Sequence, residues 1–285
     1  MIIFSNRAAA HLVDNMNLPK GNAIIKQFSD GELYIKIESD IANKEIWVIA
    51  CTQAPAKNLL ELFFILDALT RMGAPRINLF FPYFGYARQA IAQVGEAGSA
   101  ERICKILQQF PLGIIKIMHV HAAPRMRNFL TFDNIIDIDF FCNIAAYYDC
   151  IAAPDKGAAE FAQKIAQVCH KEVVFLKKVR PDHEQVKIES LNGNVIGKKI
   201  LLVDDIISTG RTIIEAAQVL KNGGALEISA AATHGILSQG ALERFAKSVV
   251  KKIYVTNTLK NSQPDSIAVY DTSHFIETII RQTNY

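Results

Sequence analysis

Apolar residues fall into two kinds of run along the chain. Some stretches are apolar at consecutive positions: "IWVIACT", "INLFFPYF" and "IKIMHVHA" in the first half, then "DCIAAPD", "EVVFLK", "KILLVDD", "EISAAATH", "KIYVTN" and "SIAVYD". Short runs of that kind read as strands covered on both faces. Between them, stretches such as "AKNLLELFFILDALTRMG" and "TIIEAAQVLKNGG" carry the spacing of amphipathic helices. The alternation predicts α/β architecture, with mainly parallel sheets flanked by helices.

The two halves repeat one another. "VIACTQAPAKNLLELFFILDALTRMGAPRINLFFPY" and "ILLVDDIISTGRTIIEAAQVLKNGGALEISAAATH" each run strand, loop, helix, glycine, strand. Gly73 then faces Gly224, and Gln53-Ala54 faces Asp204-Asp205. Any two βαβ units share this outline; the matched spacing is what favours two related domains, divided as 1–145 and 146–285. The first half has lost the acidic pair and the Ser-Thr-Gly-Arg-Thr loop, so that site is expected in the second domain alone.

Composition narrows the function classes. Half of the 285 residues are hydrophobic, enough for a substantial core, and 31 basic residues nearly balance 28 acidic ones. A net charge of +3 argues against a nucleic-acid or membrane-surface partner. No apolar run reaches the roughly 18 residues of a spanning helix. The opening "MIIFSNRAAA" does not read as a signal peptide. Five scattered cysteines (Cys51, Cys104, Cys142, Cys150, Cys169) without a C-x-x-C pair read as buried free thiols. A cytoplasmic protein is expected.

The candidate chemistry starts at Ile200–Ile213, "ILLVDDIISTGRTI", where an apolar strand runs into two carboxylates and a small-residue loop. Gly210 permits positive φ and close backbone approach. Backbone N–H groups at the start of the following helix, with the hydroxyls of Ser208, Thr209 and Thr212, suit an anion. The lysine of a P-loop is absent, which argues against a nucleoside-triphosphate cradle of that type. Asp204 and Asp205 fall where ligands of open α/β sheets bind. Beside a phosphate they suit sugar hydroxyls or a divalent cation. A helix cap beside a solvated acidic pair is the blander reading.

This stretch resembles the phosphoribosyl pyrophosphate-binding signature of the type I phosphoribosyltransferase fold. "FSDGE" (28–32), "PYFGYARQ" (82–89), "HVHA" (119–122), "APDKGA" (153–158) and "ATHG" (232–235) occur in order around it. Together they resemble the ribose-phosphate pyrophosphokinase family nearly from end to end, and "PDKGA" and the short chain look closest to its archaeal-type members. The resemblance implies two phosphoribosyltransferase-type domains. It also implies magnesium-dependent transfer of the diphosphoryl group of ATP to the 1-hydroxyl of ribose 5-phosphate. The products are AMP and 5-phosphoribosyl 1-pyrophosphate, for nucleotide biosynthesis.

The resemblance assigns roles residue by residue. Asp204 and Asp205 hold ribose hydroxyls, and Ser208, Thr209, Gly210, Arg211 and Thr212 hold the 5-phosphate. Lys178 and Arg180, in "KKVRPDHEQVKIESLNG", match a catalytic flexible loop. On charge pattern alone that stretch reads as an exposed hairpin. Arg88 and Gln89 face ATP, Arg88 as a forked phosphate donor. His121 lies near ATP phosphates and metal, and Asp155 contacts magnesium and ribose. Phe28, Asp30 and Glu32 complete the adenine site of a neighbouring copy, so self-association as a dimer or larger is implied. Two positions depart from the family pattern: Ala90 follows Gln89 where an acidic residue is usual, and His119 replaces an aspartate. His119 and His121 are expected on one strand face. These departures leave a regulatory homologue that binds phosphoribosyl ligands as an alternative. A base phosphoribosyltransferase is a third reading, disfavoured by "FSDGE" and "PYFGYARQ".

Overall fold

The computed structural model describes residues 1–179, 187–260 and 266–283. They form two compact units. The first comprises Met1–Ile136, Thr258–Lys260 and Asp271–Tyr285; the second comprises Asp137–Asn257 and Asn261–Tyr270.

The first unit opens with β1 (Ile2–Ser5), α1 (Ala10–Asp14) and a hairpin of β2 (Ala23–Gln27) and β3 (Leu33–Ile37). There follow β4 (Ile46–Cys51), α2 (Lys57–Arg71), β5 (Ile77–Tyr83), a 3-10 turn (Ala87–Gln89) and α3 (Ser99–Leu107). β6 (Leu112–Met118), α4 (Ala123–Met126) and β7 (Asp133–Ile135) complete this stretch. The sheet order is β1-β4-β5-β6-β7, with every pair parallel. Every residue of β4 and β5 is buried, as their unbroken apolar runs require. Leu62, Ile65, Leu66 and Leu69 of α2 recur at helical spacing and pack on the sheet core with Val48, Leu79 and Phe81. Burying each such side chain contributes ~1.5–3 kcal/mol.

The second unit contains α5 (Ile138–Ala145), β8 (Cys150–Ala153), α6 (Ala159–Val168), β9 (Glu172–Val179) and β10 (Lys187–Asn192). It continues through β11 (Lys199–Ile207), α7 (Arg211–Asn222), β12 (Glu227–Gly235), α8 (Ala241–Ala246), β13 (Ile253–Thr256) and β14 (Ile267–Tyr270). The order is β10-β9-β8-β11-β12-β13-β14. β10 runs antiparallel to β9, and the other pairs are parallel. Its core joins Leu202, Ala217, Leu220, Ala230 and Val255.

The repeated segments become β4–α2–β5 and β11–α7–β12, each a parallel pair bridged by a helix. Gly73 and Gly224 sit just past their helices at φ +83° and +95°. That left-handed exit is the reason both are glycine.

The units do not follow one cut of the chain near residue 145. The second opens at Asp137, ahead of α5. Its N-cap Asp137 accepts from the Phe140 N–H at 3.0 Å. The last helix, α9 (Ser273–Gln282), returns to the first unit. Glu277 on α9 accepts from the Asn17 N–H at 2.8 Å, and Asp271 accepts from Asn15 Nδ2 at 3.0 Å.

The expectation of five free thiols is corrected. Cys142 on α5 and Cys169 at the end of α6 form a disulfide with Cα atoms 5.4 Å apart. Their 27-residue separation conceals a proximity created by the α5–α6 packing, to which the Phe141 and Phe161 rings also contribute at 4.9 Å. Cys51, Cys104 and Cys150 are free and buried. Burial pushes their thiols up to about 12, 12 and 11, so they stay protonated and unreactive.

Candidate functional site

In the second unit, β8 and β11 are parallel neighbours, with Ala152 opposite Leu202. The segments leaving their carboxyl ends therefore emerge on one edge of the sheet. Asp155 follows β8, and Asp204 and Asp205 lie near the end of β11. Asp155 Oδ1 accepts from the N–H groups of Gly157 (2.9 Å) and Ala158 (3.3 Å), which shapes the turn into α6. Asp204 Oδ1 accepts from the Asp205 N–H at 2.9 Å. Burial, then the charge of Asp205, then that of Asp155 push the Asp204 carboxyl well above the ordinary carboxylate range. Three acids from two strand ends thus act on one another. A cation, or donors from sugar hydroxyls, would relieve that repulsion.

The loop after β11 takes a tight course. Gly210 has φ +77°. A Cβ there would stand 2.5 Å from a ring carbon of Phe245, so glycine is required for space as well as for conformation. α7 starts immediately afterwards, with the Ile214 N–H bonded to the Gly210 carbonyl at 2.9 Å. Ser208 and Thr212 are half-buried, while Thr209 and Arg211 are exposed. The predicted phosphate-binding residues therefore form one continuous strand-to-helix corner next to the acidic group.

Lys178 lies on β9, opposite Ile188 of β10, and β9 adjoins β8. Its backbone is thus one strand removed from that bearing the Asp155 turn. Arg180 lies outside the described residues.

The first unit carries the remaining candidates. The β2–β3 hairpin turns through "FSDGE": Gly31 has φ +98°, and Asp30 Oδ1 accepts from the Glu32 N–H at 3.0 Å. Phe28 is 54% exposed and meets Tyr34 edge-on at 5.9 Å. Ile25, Ile35 and Ile37 anchor the hairpin to the core, which leaves Phe28, Asp30 and Glu32 in solvent at its tip. Arg88 and Gln89 form the exposed 3-10 turn after β5, entered through Tyr86 at φ +67°. β5 and β6 are parallel neighbours, so this turn and His121 leave the same sheet edge. The two histidines do not share a strand face. β6 ends at Met118, and His119 adopts φ +40°, which breaks the alternation. His119 is buried and His121 exposed.

Two features of these sites carry no sequence signal of their own. Phe245 beneath Gly210 reads as an ordinary core aromatic of α8. Arg244 beside it donates through Nε to the Thr209 carbonyl at 3.0 Å. Its partner is a backbone atom 35 residues away, which periodicity and spacing do not reveal.

Comparison with known proteins covers nearly the whole chain. Residues 2–110 match the N-terminal domain of ribose phosphate pyrophosphokinase, and residues 139–268 match the phosphoribosyl transferase domain. The ribose-phosphate pyrophosphokinase of Chlorobaculum tepidum is 35% identical over 272 residues, covering 93% of this chain and 82% of that protein. That of Campylobacter jejuni is 32% identical over 297 residues, covering 98% and 94%. The crystal structure of phosphoribosylpyrophosphate synthetase from Mycobacterium smegmatis matches with a TM-score of 0.88 at 26% identity, covering 99% of this chain and 98% of that one. With both domain matches and these relatives, the chain belongs to the ribose-phosphate pyrophosphokinase family.

Proposed function

We propose that the chain transfers the diphosphoryl group of ATP to the 1-hydroxyl of ribose 5-phosphate, yielding AMP and 5-phosphoribosyl 1-pyrophosphate. A bond forms between the sugar oxygen and the β-phosphorus, the bridge to the α-phosphorus breaks, and the hydroxyl gives up its proton. The observation that carries this reading is the corner in the second unit. An acidic strand end joins a loop whose Gly210 admits only backbone, within a chain that matches the family almost throughout.

In this reading Ser208–Thr212 bind the 5-phosphate and Asp204 and Asp205 orient the ribose hydroxyls. Lys178 and Arg180 carry positive charge to the transferring group, where negative charge spreads over phosphoryl oxygens. Arg88, Gln89 and His121 serve ATP. Phe28, Asp30 and Glu32, exposed on their hairpin, serve the ATP site of a second copy, which makes the working protein a homodimer or larger.

Magnesium fits the donor set. Asp155, Asp204 and Asp205 offer hard oxygen ligands, and the repulsion felt at Asp204 favours a cation. No cluster of three or more His, Cys, Asp or Glu side chains among the described residues forms a ready-made cage. That suits an ion held by one or two carboxylates, substrate oxygens and water. Asp155 is assigned to it directly, with His121 on the ATP side; the ion would neutralise phosphate charge. No described helix is long and apolar enough to cross a membrane, and we assign the protein to the cytoplasm.

The test is direct: incubate the chain with ATP, ribose 5-phosphate and magnesium, and quantify AMP and 5-phosphoribosyl 1-pyrophosphate. Equal amounts of the two are expected. Ligand binding without turnover would favour the regulatory alternative.

A further inference from the structure

Three successive carbonyls of the β11–α7 corner are captured from one side. The Ile207 carbonyl accepts from the N–H groups of Ile236 (2.9 Å) and Leu237 (3.1 Å). The Ser208 carbonyl accepts from the Ser238 N–H at 3.1 Å. The Thr209 carbonyl accepts from Arg244 Nε at 3.0 Å. In a planar trans peptide the carbonyl and the next residue's N–H point in opposite directions. Holding the carbonyls of 207, 208 and 209 toward the 236–244 segment therefore turns the N–H groups of Ser208, Thr209 and Gly210 to the other side. Consecutive N–H groups aimed one way form an anion-binding concavity, whereas a carbonyl swung into it would repel the ligand.

Two of the three clamps are backbone to backbone. The third is a side chain, and it fixes the peptide that leads into Gly210. Arg244 is itself fixed: it belongs to α8, and its Nη2 donates to the Gln239 carbonyl at 3.2 Å. Its neighbour Phe245 is buried, with its ring directly against Gly210. α8 thus touches the same peptide from two residues, by hydrogen bond at the carbonyl and by packing at the glycine.

We propose that Arg244 is a positioning residue for ribose 5-phosphate binding, acting through the Thr209 carbonyl to orient the Gly210 N–H toward the anion, without touching the ligand. This rests on the reading of Ser208–Thr212 as the 5-phosphate site, and the experiment separates the two. Calorimetry with ribose 5-phosphate, without ATP, would compare the full-length parent with Arg244→Met, Arg244→Gln and Thr212→Val. Methionine keeps the aliphatic stem and removes the donors; glutamine restores a neutral donor. Arg244→Met is expected to bind about tenfold more weakly, the loss of one hydrogen bond from a charged donor. Arg244→Gln should recover to within about threefold of the parent, and the KM for ATP should not move in either. Equal weakening in Met and Gln would overturn the proposal, because the charge would then be acting on the ligand itself. Parental affinity in Arg244→Met beside weakened Thr212→Val would overturn it while sparing the loop assignment. Parental affinity in both would remove the loop assignment and the proposal together.

Discussion

The segments β4–α2–β5 and β11–α7–β12 share an architecture and differ at one corner. In the first unit the end of β4 is tied to neighbouring segments by hydrogen bonds. The Gly85 N–H donates to Thr52 Oγ1 at 2.7 Å, and a Cβ on Gly85 would lie 2.2 Å from the Thr52 carbonyl oxygen. The Asn6 side chain donates to the carbonyls of Cys51 (2.8 Å) and Asn58 (3.0 Å) and accepts from the Cys51 N–H at 3.2 Å. Fully buried Glu61 accepts from Arg7 Nε at 2.6 Å and from the Arg7 N–H at 3.0 Å. In the second unit the matching strand end carries Asp204 and Asp205, pressed together by burial and like charge. The helix, the exit glycine and the parallel pair are thus packing requirements common to both units. The units differ in the few residues between strand and helix, where the first unit ties Thr52 to Gly85 and the second carries the paired acids that we propose serve a ligand.

The sharpest way to break this comparison is to attack the second unit alone. Lys178→Ala should lower turnover by roughly 10²–10³-fold, the usual cost of removing one donor to a developing anion. Ribose 5-phosphate affinity should stay near parental if, as proposed, that ligand sits on the β11–α7 corner. Steady-state kinetics beside calorimetry separates the two. An unchanged turnover, with the loss appearing in Lys177→Ala, would shift the catalytic position by one residue.

Asp204→Asn comes next. Losing a charged acceptor should weaken ribose 5-phosphate binding by roughly 10–100-fold. It should also alter the pH dependence of stability. A carboxyl whose folded pKa is raised binds its proton more tightly in the fold than in the unfolded chain. The metal-free protein should therefore gain stability as pH falls through that raised value toward the ordinary carboxylate range. The asparagine variant should lack this gain, as melting curves across acidic pH would show.

A smaller effect is expected from the Glu61–Arg7 pair of the first unit. Glu61→Gln removes the charge that answers Arg7 and should cost about 1–3 kcal/mol of stability. It should leave ribose 5-phosphate affinity at the parental value, read by denaturant melts beside calorimetry. A binding defect would mean that the Glu61–Arg7 pair affects the second unit's site. The smallest change tests the shared frame. Gly73→Ala should cost about 1 kcal/mol through backbone strain alone, since its Cβ would meet nothing within 4 Å. Gly224→Ala should cost slightly more, because Ile196 would lie 3.3 Å away.

The legibility of the sequence followed the same division. The buried strands announced themselves through consecutive apolar residues, and the exit glycines through their matched spacing. β3, "LYIKI", is half exposed and too short for its alternation to stand out, and β10 shows only as part of a charged stretch. The Asp204-Asp205 corner was legible because two carboxylates ending an apolar strand violate the local pattern. Arg244 was not, because its partner is a carbonyl, and every residue has one. The Cys142–Cys169 bridge was equally hidden, since pairing depends on how α5 meets α6. His119 shows the limit of periodicity: one positive φ beyond β6 undoes the strand-face argument that places it with His121.

The return of α9 to the first unit bears on how the protein is made. A ribosome releases β1 before the second unit, yet the unit to which β1 belongs lacks α9 until the second unit has emerged. Most of the second unit, although encoded later, is synthesised while its elder neighbour still waits for Asp271 and Glu277 to reach Asn15 and Asn17. A message cut short after the second unit would therefore yield a product whose defect lies in the half translated first.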